Sequence, residues 1–188
     1  MLCRLTVLVI LLGFSLHSWA AIIIGNPTGK VTLVEVFDYQ CPHCHEANAA
    51  IESLIVHNPD LKVRLLPTAV LNKTSLYEAA ASIAATYYPG RFQQFHALVM
   101  SQAPLSPKGV HDLLTDIGLS GDKFNHLLHS PQTLAQLKES EPYLKQSHGS
   151  VPFFVIYPSN HPAKRLNITG FKNAAILQTA IKVARTHE

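Results

Sequence analysis

Charged residues are scarce in this chain of 188 residues, since they make up only 14% of it. Neither sign dominates, because 15 Lys and Arg against 12 Asp and Glu leave a formal net charge of +3. The basic residues are scattered along the chain, which argues against a nucleic-acid-binding protein, because such a protein presents a clustered basic face. The chain also lacks low-complexity segments and internal repeats. Its length suits one domain with room for an insertion.

The first 20 residues have the pattern of a secretory signal peptide. Arg4 supplies the positive start, an apolar run extends from Leu5 to Leu16, and Ser18-Trp19-Ala20 is a small-x-small cleavage site. The apolar run is short for a membrane span, which needs about 20 residues. We therefore expect cleavage after Ala20 and export to an oxidising compartment, where a disulfide is chemically permissible.

Cysteine is scarce as well. The chain contains three cysteines, and cleavage would remove Cys3 and leave only Cys41 and Cys44. These two lie in the stretch Cys41-Pro42-His43-Cys44. Two thiols at this spacing can exchange between a dithiol and a disulfide, can attach a haem, or can help to hold a metal. The function depends on which of the three uses applies.

The cysteines fall where a predicted strand gives way to a predicted helix. Val31 to Phe37 is mostly β-branched and apolar, which predicts a central strand covered on both faces. Apolar residues at helical spacing follow the motif, and Pro42 suits the first helical turn. Cys41 at a helix N-terminus is exposed to unpaired N–H groups and to the positive end of the helix dipole, and His43 adds positive charge or a hydrogen bond, so the Cys41 thiolate is favoured.

The rest of the chain predicts an α/β fold with a helical insertion. A second strand is predicted over 61–66, which completes a βαβ unit, and residues 74–147 show helix signals throughout. Ser75 and Glu78 form a predicted capping box, and Ser106-Pro107 and Ser130-Pro131 predict further helix starts. Strands are predicted at 152–157 and 165–169, followed by a last helix. We therefore expect one domain from residues 21–73 and 148–188, interrupted by a helical domain from residues 74–147.

Two motifs together resemble the DsbA family of periplasmic disulfide oxidases, which have a thioredoxin fold with an inserted helical domain. The stretch from Val34 to Cys44 is similar to the active-site segment of that family, including the Pro-His dipeptide between the cysteines. The distant Val151-Pro152-Phe153-Phe154 is similar to the family's cis-proline segment. The resemblance covers the mature chain in the order of its elements, although its specific evidence is confined to these two motifs.

The resemblance implies roles for individual residues. Cys41 is the expected nucleophilic position at which a mixed disulfide forms, and Cys44 is its buried partner. Pro42 and His43 complete the catalytic motif. The family carries an acidic residue six positions before the first cysteine, which corresponds to Glu35. Burial would raise the pKa of this carboxyl, which could then relay the Cys44 proton.

The segment at Val151 and Pro152 is expected to face the disulfide and to pair with an extended substrate chain. No cofactor or metal is implied by the resemblance. The expected partners are unfolded or reduced exported proteins and a quinone-linked membrane reoxidase similar to DsbB, and the expected location is the periplasm. Periplasmic isomerases usually add an N-terminal dimerisation domain, and only about ten residues, 21–30, precede the first predicted strand. We therefore expect a monomer.

Other functions remain open at this point. A disulfide isomerase or reductase of the same fold fits the same motifs. Cys41-Pro42-His43-Cys44-His45 is also the attachment pattern of a c-type cytochrome, with Met100 as a possible axial ligand. His126 and His129, three positions apart, together with the cysteine pair offer a third reading as a zinc site.

Overall fold

The computed structural model describes residues 21–187, so the predicted signal peptide, residues 1–20, lies outside the described residues. Within them, five strands form one mixed sheet. The strands are β1 Ile22–Gly25, β2 Val31–Phe37, β3 Leu61–Pro67, β4 Phe153–Pro158 and β5 Leu166–Thr169. Their order in the sheet is β1-β3-β2-β4-β5. Strands β2 and β3 pair in parallel, and the other three pairs are antiparallel.

The described helices lie between and after these strands. They are α1 Pro42–His57, α2 Lys73–Ala85, α3 Arg91–Met100, α4 Pro107–Asp116, α5 Asp122–Leu128, α6 Pro131–Leu137, α7 Glu141–Gln146 and α8 Ala174–Arg185. A short 3₁₀ turn at 138–140 joins α6 to α7. The predicted βαβ unit is therefore present as β2–α1–β3, and the predicted helical segment lies between β3 and β4. The α/β class is confirmed.

Strand β2 is the centre of the sheet, and all seven of its residues are buried. Side chains of a strand alternate between its two faces. Leu33 and Phe37 join the large core cluster that includes α1 and α8, whereas Val34 and Val36 join a smaller cluster on the opposite face. The same alternation places Glu35 on the α1 side of the sheet, among apolar neighbours.

Strand β1 was not predicted from the sequence. The first predicted strand began at Val31. The run from Ile22 to Ile24 is too short to stand out from the loop residues that follow it. It becomes a strand because it pairs with β3, in the antiparallel register that sets Ile23 opposite Arg64. Gly25 ends it with a φ of +74°, which a residue with a side chain rarely adopts.

The start of α2 differs from the predicted capping box. Asn72 is the N-cap, and its side chain accepts a hydrogen bond from the Ser75 backbone N–H at 3.0 Å. The Ser75 hydroxyl in turn accepts from the Asn72 N–H at 3.2 Å. The capping box is therefore formed by Asn72 and Ser75, and the Glu78 side chain takes no part in it.

The two Ser-Pro helix starts are confirmed. Ser106 and Ser130 are N-caps, and their hydroxyls accept hydrogen bonds from the backbone N–H groups of Gly109 and Thr133. The large core cluster runs without interruption from the sheet into the helical segment. The assignment of residues 74–147 as a separate domain stays a prediction. No helix within residues 21–187 has both the length and the apolar character needed to cross a membrane.

Candidate active site

The junction between β2 and α1 holds the Cys41-Pro42-His43-Cys44 motif. Cys41 is the N-cap of α1, and Pro42 occupies the first helical turn, where a missing N–H costs little. The Cys41 residue is 7% exposed, whereas Cys44, one turn further into the helix, is fully buried. Both are free thiols in this structure. One sulfur therefore lies near the surface and its partner lies beneath it.

The surroundings of Cys41 lower the pKa of its thiol to about 6. The largest cause is a hydrogen bond from the Cys44 side chain, and burial acts in the opposite direction. Backbone N–H groups of Cys44 and His43 and the positive charge of His43 lower the pKa further. Cys41 is therefore a thiolate at neutral pH. The helix N-terminus and His43 were predictable causes from the sequence, and the structure adds the larger contribution of the Cys44 hydrogen bond.

The surroundings of Cys44 shift the pKa of its thiol in the opposite direction. Burial raises the pKa of its thiol far above the ordinary value, and the nearby Cys41 and Glu35 raise it further. Glu35 is also fully buried, and neither of its carboxyl oxygens has a hydrogen-bond partner among the described residues. Burial, and then the charge of Cys41, raise the pKa of Glu35 to about 8. A protonated Cys44 and a carboxyl that titrates near neutral pH thus lie in one buried region.

The segment at Val151 and Pro152 lies directly against Cys41. The Cys41 sulfur is 3.8 Å from the Val151 carbonyl oxygen, which accepts a hydrogen bond from Cys41 when the thiol is protonated. The Val151–Pro152 peptide bond is cis, as the resemblance implied. The Pro152 carbonyl accepts a hydrogen bond from the Gly170 N–H at 2.8 Å, which ties this loop to the end of β5.

Pro42 and His43 are both exposed on the first turn of α1. The Nδ1 atom of His43 lies 3.2 Å from the carboxylate of Glu46, and the two side chains are 67% and 61% exposed. His43 therefore lies at the surface, two positions after Cys41.

Asp38 organises the loop before the motif, a role that the sequence reasoning missed. This buried carboxylate accepts hydrogen bonds from the backbone N–H groups of Gln40, Val70 and Leu71 at 2.9–3.1 Å. Its own carbonyl accepts from the Cys41 N–H at 3.0 Å. One side chain thus links the cysteine loop to the loop after β3. The sequence does contain a signal for this role, because an Asp that directly follows a buried apolar strand is expected to be buried and to need hydrogen-bond partners.

A second buried group links Tyr39 to α3. His96 Nε2 donates to the side-chain oxygen of Asn48 at 2.9 Å, and the Tyr39 hydroxyl donates to His96 Nδ1 at 3.0 Å. Burial, and then the charge of His45, lower the pKa of His96 to about 4, so the ring is neutral. His96 also stacks on Phe92. Its position on the apolar face of a helix was the only sequence signal for this role.

The residues considered as haem or zinc ligands do not come together around the cysteine pair. His45 Nε2 donates to the Tyr39 carbonyl at 2.6 Å, and Met100 is buried in the core at the end of α3. His126 and His129 are exposed on and just after α5. Within residues 21–187 no three His, Cys, Asp or Glu side chains lie together as a metal ion would require.

Comparisons with known proteins agree with this arrangement. The family model described as Thioredoxin matches residues 18–152, which is well over half of the chain. The Thiol:disulfide interchange protein DsbA of Burkholderia cepacia is 27% identical over 129 residues, which cover 65% of this chain. The match spans 60% of that relative's length, which is less than two thirds of it.

Two solved structures share the fold. A thioredoxin-like oxidoreductase from Silicibacter pomeroyi DSS-3 superposes with a TM-score of 0.79 and 27% identity, over 88% of this chain and 92% of the other. The thiol-disulfide exchange protein alpha-DsbA2 from Wolbachia pipientis superposes with a TM-score of 0.72 and 22% identity, over 86% of each chain. The second likeness concerns the fold alone. Given the family match, the sheet order and the cysteine pair at the start of α1, the chain belongs to the thioredoxin family, as a DsbA-like member with a helical segment between β3 and β4.

Proposed function

We propose that this protein is a thiol:disulfide oxidoreductase that introduces disulfide bonds into exported proteins by exchange at Cys41 and Cys44. The observation that carries the proposal is the contrast between the two thiols. The pKa of Cys41 is lowered to about 6 and that of Cys44 is raised. Because a stabilised thiolate favours the reduced form, the Cys41–Cys44 disulfide is a strong oxidant.

The reaction begins with the disulfide form. A substrate thiolate attacks the Cys41 sulfur, a mixed disulfide forms, and the Cys41–Cys44 bond breaks with Cys44 as the leaving group. Cys44 then takes up a proton, because its buried thiolate is strongly disfavoured. A second substrate thiolate attacks the substrate sulfur of the mixed disulfide and releases Cys41 as a thiolate. The substrate loses two electrons and two protons. The protein gains the two electrons and one proton at Cys44, and the other proton goes to the solvent.

Glu35 is the proposed proton relay for Cys44. A carboxyl whose pKa is about 8 is largely protonated at neutral pH and can give a proton to the departing Cys44 sulfur. Both of its oxygens lack a competing hydrogen-bond partner among the described residues. A Glu35→Gln variant keeps the shape but cannot transfer the proton. We expect slower reaction at Cys44, and unaltered Cys44 reactivity in this variant would remove the role.

The substrate is proposed to be an extended, reduced polypeptide. The Val151 carbonyl lies against the Cys41 sulfur, so a chain that pairs with the backbone there brings its own thiol to Cys41. A groove of about 600 Å³ between β5 and α8 adds apolar surface from Leu166, Ile176 and Val183, each of which is partly exposed. Such a groove fits apolar side chains that are exposed only while the substrate is unfolded.

The proposed cellular setting follows from this chemistry. An oxidase is left reduced after each turnover, so it needs an electron acceptor, for which we propose a quinone-linked membrane partner similar to DsbB. We further propose that residues 1–20 direct export to the periplasm, that cleavage follows Ala20, and that the protein acts as a monomer.

The test is oxidation of a peptide that carries two thiols, followed by mass spectrometry. The disulfide form of the protein should convert the peptide, and Cys41→Ser should abolish the conversion. Cys44→Ser should abolish it as well, because Cys41 alone cannot form the disulfide that takes the two electrons from the peptide. Full activity of Cys41→Ser would refute the proposal.

A further inference from the structure

The side chain of Gln40, directly before the reactive cysteine, is held by the helical segment. Its Nε2 donates to a Glu78 carboxylate oxygen at 2.9 Å and to the Leu105 carbonyl at 3.1 Å. Its Oε1 accepts from the Asn72 side chain at 3.4 Å. Three points of the chain between β3 and α4 thus hold one residue of the cysteine loop. Because Gln40 and Cys41 share a peptide bond, the position of this side chain constrains the N-cap of α1.

Glu78 is the unusual member of this group. It is fully buried on α2, among alanine residues, and only one of its two carboxyl oxygens is bonded. The other oxygen, Oε1, is buried without a hydrogen-bond partner among the described residues. A buried carboxyl in this state is unfavourable for stability. The exchange chemistry proposed above assigns it no role.

We propose that Glu78 is a positioning residue for thiol–disulfide exchange, an inference that rests on the proposed function. Glu78 holds the Gln40 side chain. Gln40 in turn holds the N-cap loop in the conformation that directs backbone N–H groups at the Cys41 sulfur. Its ionised carboxylate is the strongest acceptor available to Gln40, since hydrogen bonds to a charged group are roughly twice as strong as neutral ones. Protonation of Glu78 weakens the link and relaxes the loop.

The surroundings of Glu78 make its protonation state sensitive near neutral pH. Burial, and then the charge of Asp38, raise the pKa of Glu78 to about 7, against the lowering effect of the Gln40 hydrogen bond. Burial raises the pKa of Tyr39, and the nearby charges of Glu78 and of Glu35 from β2 raise it further. From α3, His96 contacts the Tyr39 hydroxyl and is neutral in this range. Glu78 therefore changes charge in a pH range where Tyr39 and His96 do not.

The experiment measures the second-order rate constant for alkylation of Cys41 in the reduced protein by iodoacetamide, from pH 4 to 9. The protein is compared with Glu78→Gln, Gln40→Leu and the double variant. In the unsubstituted protein, the main rise near pH 6 reports Cys41 itself, and a second inflection is expected near pH 7. Glu78→Gln preserves the size of the side chain and should remove the second inflection only. Glu141→Gln, at the exposed start of α7, is the control and should retain it.

Gln40→Leu should remove the same inflection, because Glu78 acts through Gln40. It should also lower the plateau rate constant about tenfold, the factor that corresponds to the loss of about 1.4 kcal/mol. The double variant should be no slower than Gln40→Leu alone. Circular dichroism and thermal unfolding establish that each variant is folded. An inflection near pH 7 that persists in folded Glu78→Gln would overturn the proposal, as would additive effects in the double variant. Neither outcome bears on whether the protein oxidises dithiols, which is tested separately with the peptide.

Discussion

At the scale of single residues, Cys41 and Cys44 differ only in position, yet their chemistry is opposite. Cys41 sits at the end of a helix, where a thiol and backbone N–H groups are directed at its sulfur, whereas Cys44 is enclosed by apolar neighbours and by Glu35. The sequence reasoning identified both cysteines and their relative depth from the helix-start pattern. It could not rank the contributions to the Cys41 pKa, because these depend on distances between atoms.

That ranking yields a first prediction. Cys44→Ala removes the largest cause of the lowered Cys41 pKa, so the Cys41 pKa should rise clearly above 6. Cys44→Ser keeps a hydroxyl donor in the same place and should raise it less. His43→Ala should cause the smallest rise, since the charge of His43 lowers the Cys41 pKa least among these causes. Thiolate absorbance near 240 nm against pH measures each value. A larger rise in His43→Ala than in Cys44→Ala would contradict the ranking.

Glu35 yields a second prediction, on stability. The folded protein holds the Glu35 proton up to about pH 8, whereas the unfolded chain loses it near 4.5. The free energy of unfolding should therefore fall between these two pH values, by up to about 1.4 kcal/mol per pH unit from this group. Glu35→Gln should be more stable than the unsubstituted protein at pH 8, by roughly 2–5 kcal/mol after allowance for relaxation.

The measurement is urea unfolding of the oxidised protein at pH 5 and pH 8, so that the cysteines do not titrate. Glu141→Gln, on the exposed surface of α7, is the control and should show little change. Equal stability of Glu35→Gln and the unsubstituted protein at pH 8 would show that Glu35 is solvated. Glu78 adds a fall of the same sign over a narrower range, from 4.5 to about 7.

At the scale of elements, strand and helix types were predictable where the pattern was long. The run from Val31 to Phe37 and the helix after Pro42 follow from β-branched content and from the proline position, and both are present. Strand β1 was missed because three isoleucines form a strand only when β3 lies beside them. The true cap of α2, Asn72, was missed because Ser75 and Glu78 match the same local pattern one turn later.

Asp38 shows how two loops are tied together, and it gives a third prediction. Asp38→Ala leaves three backbone N–H groups without their acceptor, and each hydrogen bond to a charged group contributes about 1.5–3 kcal/mol. We expect a loss of at least about 3 kcal/mol in the free energy of unfolding, together with slower reaction at Cys41. Asp112→Ala removes an exposed carboxylate paired with Lys108 and should cost under about 0.5 kcal/mol. Similar losses in the two variants, measured by urea unfolding, would contradict this role for Asp38.

At the scale of the whole molecule, the helical segment and the sheet are joined by hydrogen bonds next to the cysteine pair. The segment supplies Glu78 and Asn72 to Gln40, and α3 supplies His96 to Tyr39. The order of elements and the presence of a helical segment were predictable from local signals and from the two motifs. The contacts across this junction were not, because each joins residues more than 30 positions apart.

The redox state should change global stability in a pH-dependent way, which is a fourth prediction. The Cys41 pKa is about 6 in the folded protein and 9 in the unfolded chain, so the Cys41 thiolate stabilises the reduced protein. This stabilisation is fully present above pH 9 and is lost as the pH falls through 6. The melting temperature of the reduced protein relative to the oxidised protein should therefore decrease as the pH is lowered from 9 to 6. Cys41→Ser has neither the thiolate nor the disulfide, so its melting temperature relative to that of the oxidised unsubstituted protein should show no such trend. A pH-independent difference between the two redox states would contradict the assignment of a Cys41 thiolate.

The reduction potential of the Cys41–Cys44 pair is the first quantity to measure, by equilibration with glutathione buffers and thiol alkylation. A thiolate stabilised at Cys41 predicts an oxidising potential, closer to the value of about −120 mV typical of DsbA than to the value of about −270 mV typical of thioredoxin. A potential near −120 mV would support the proposed oxidase. A potential near about −270 mV would contradict it and would indicate a reductant built on the same fold.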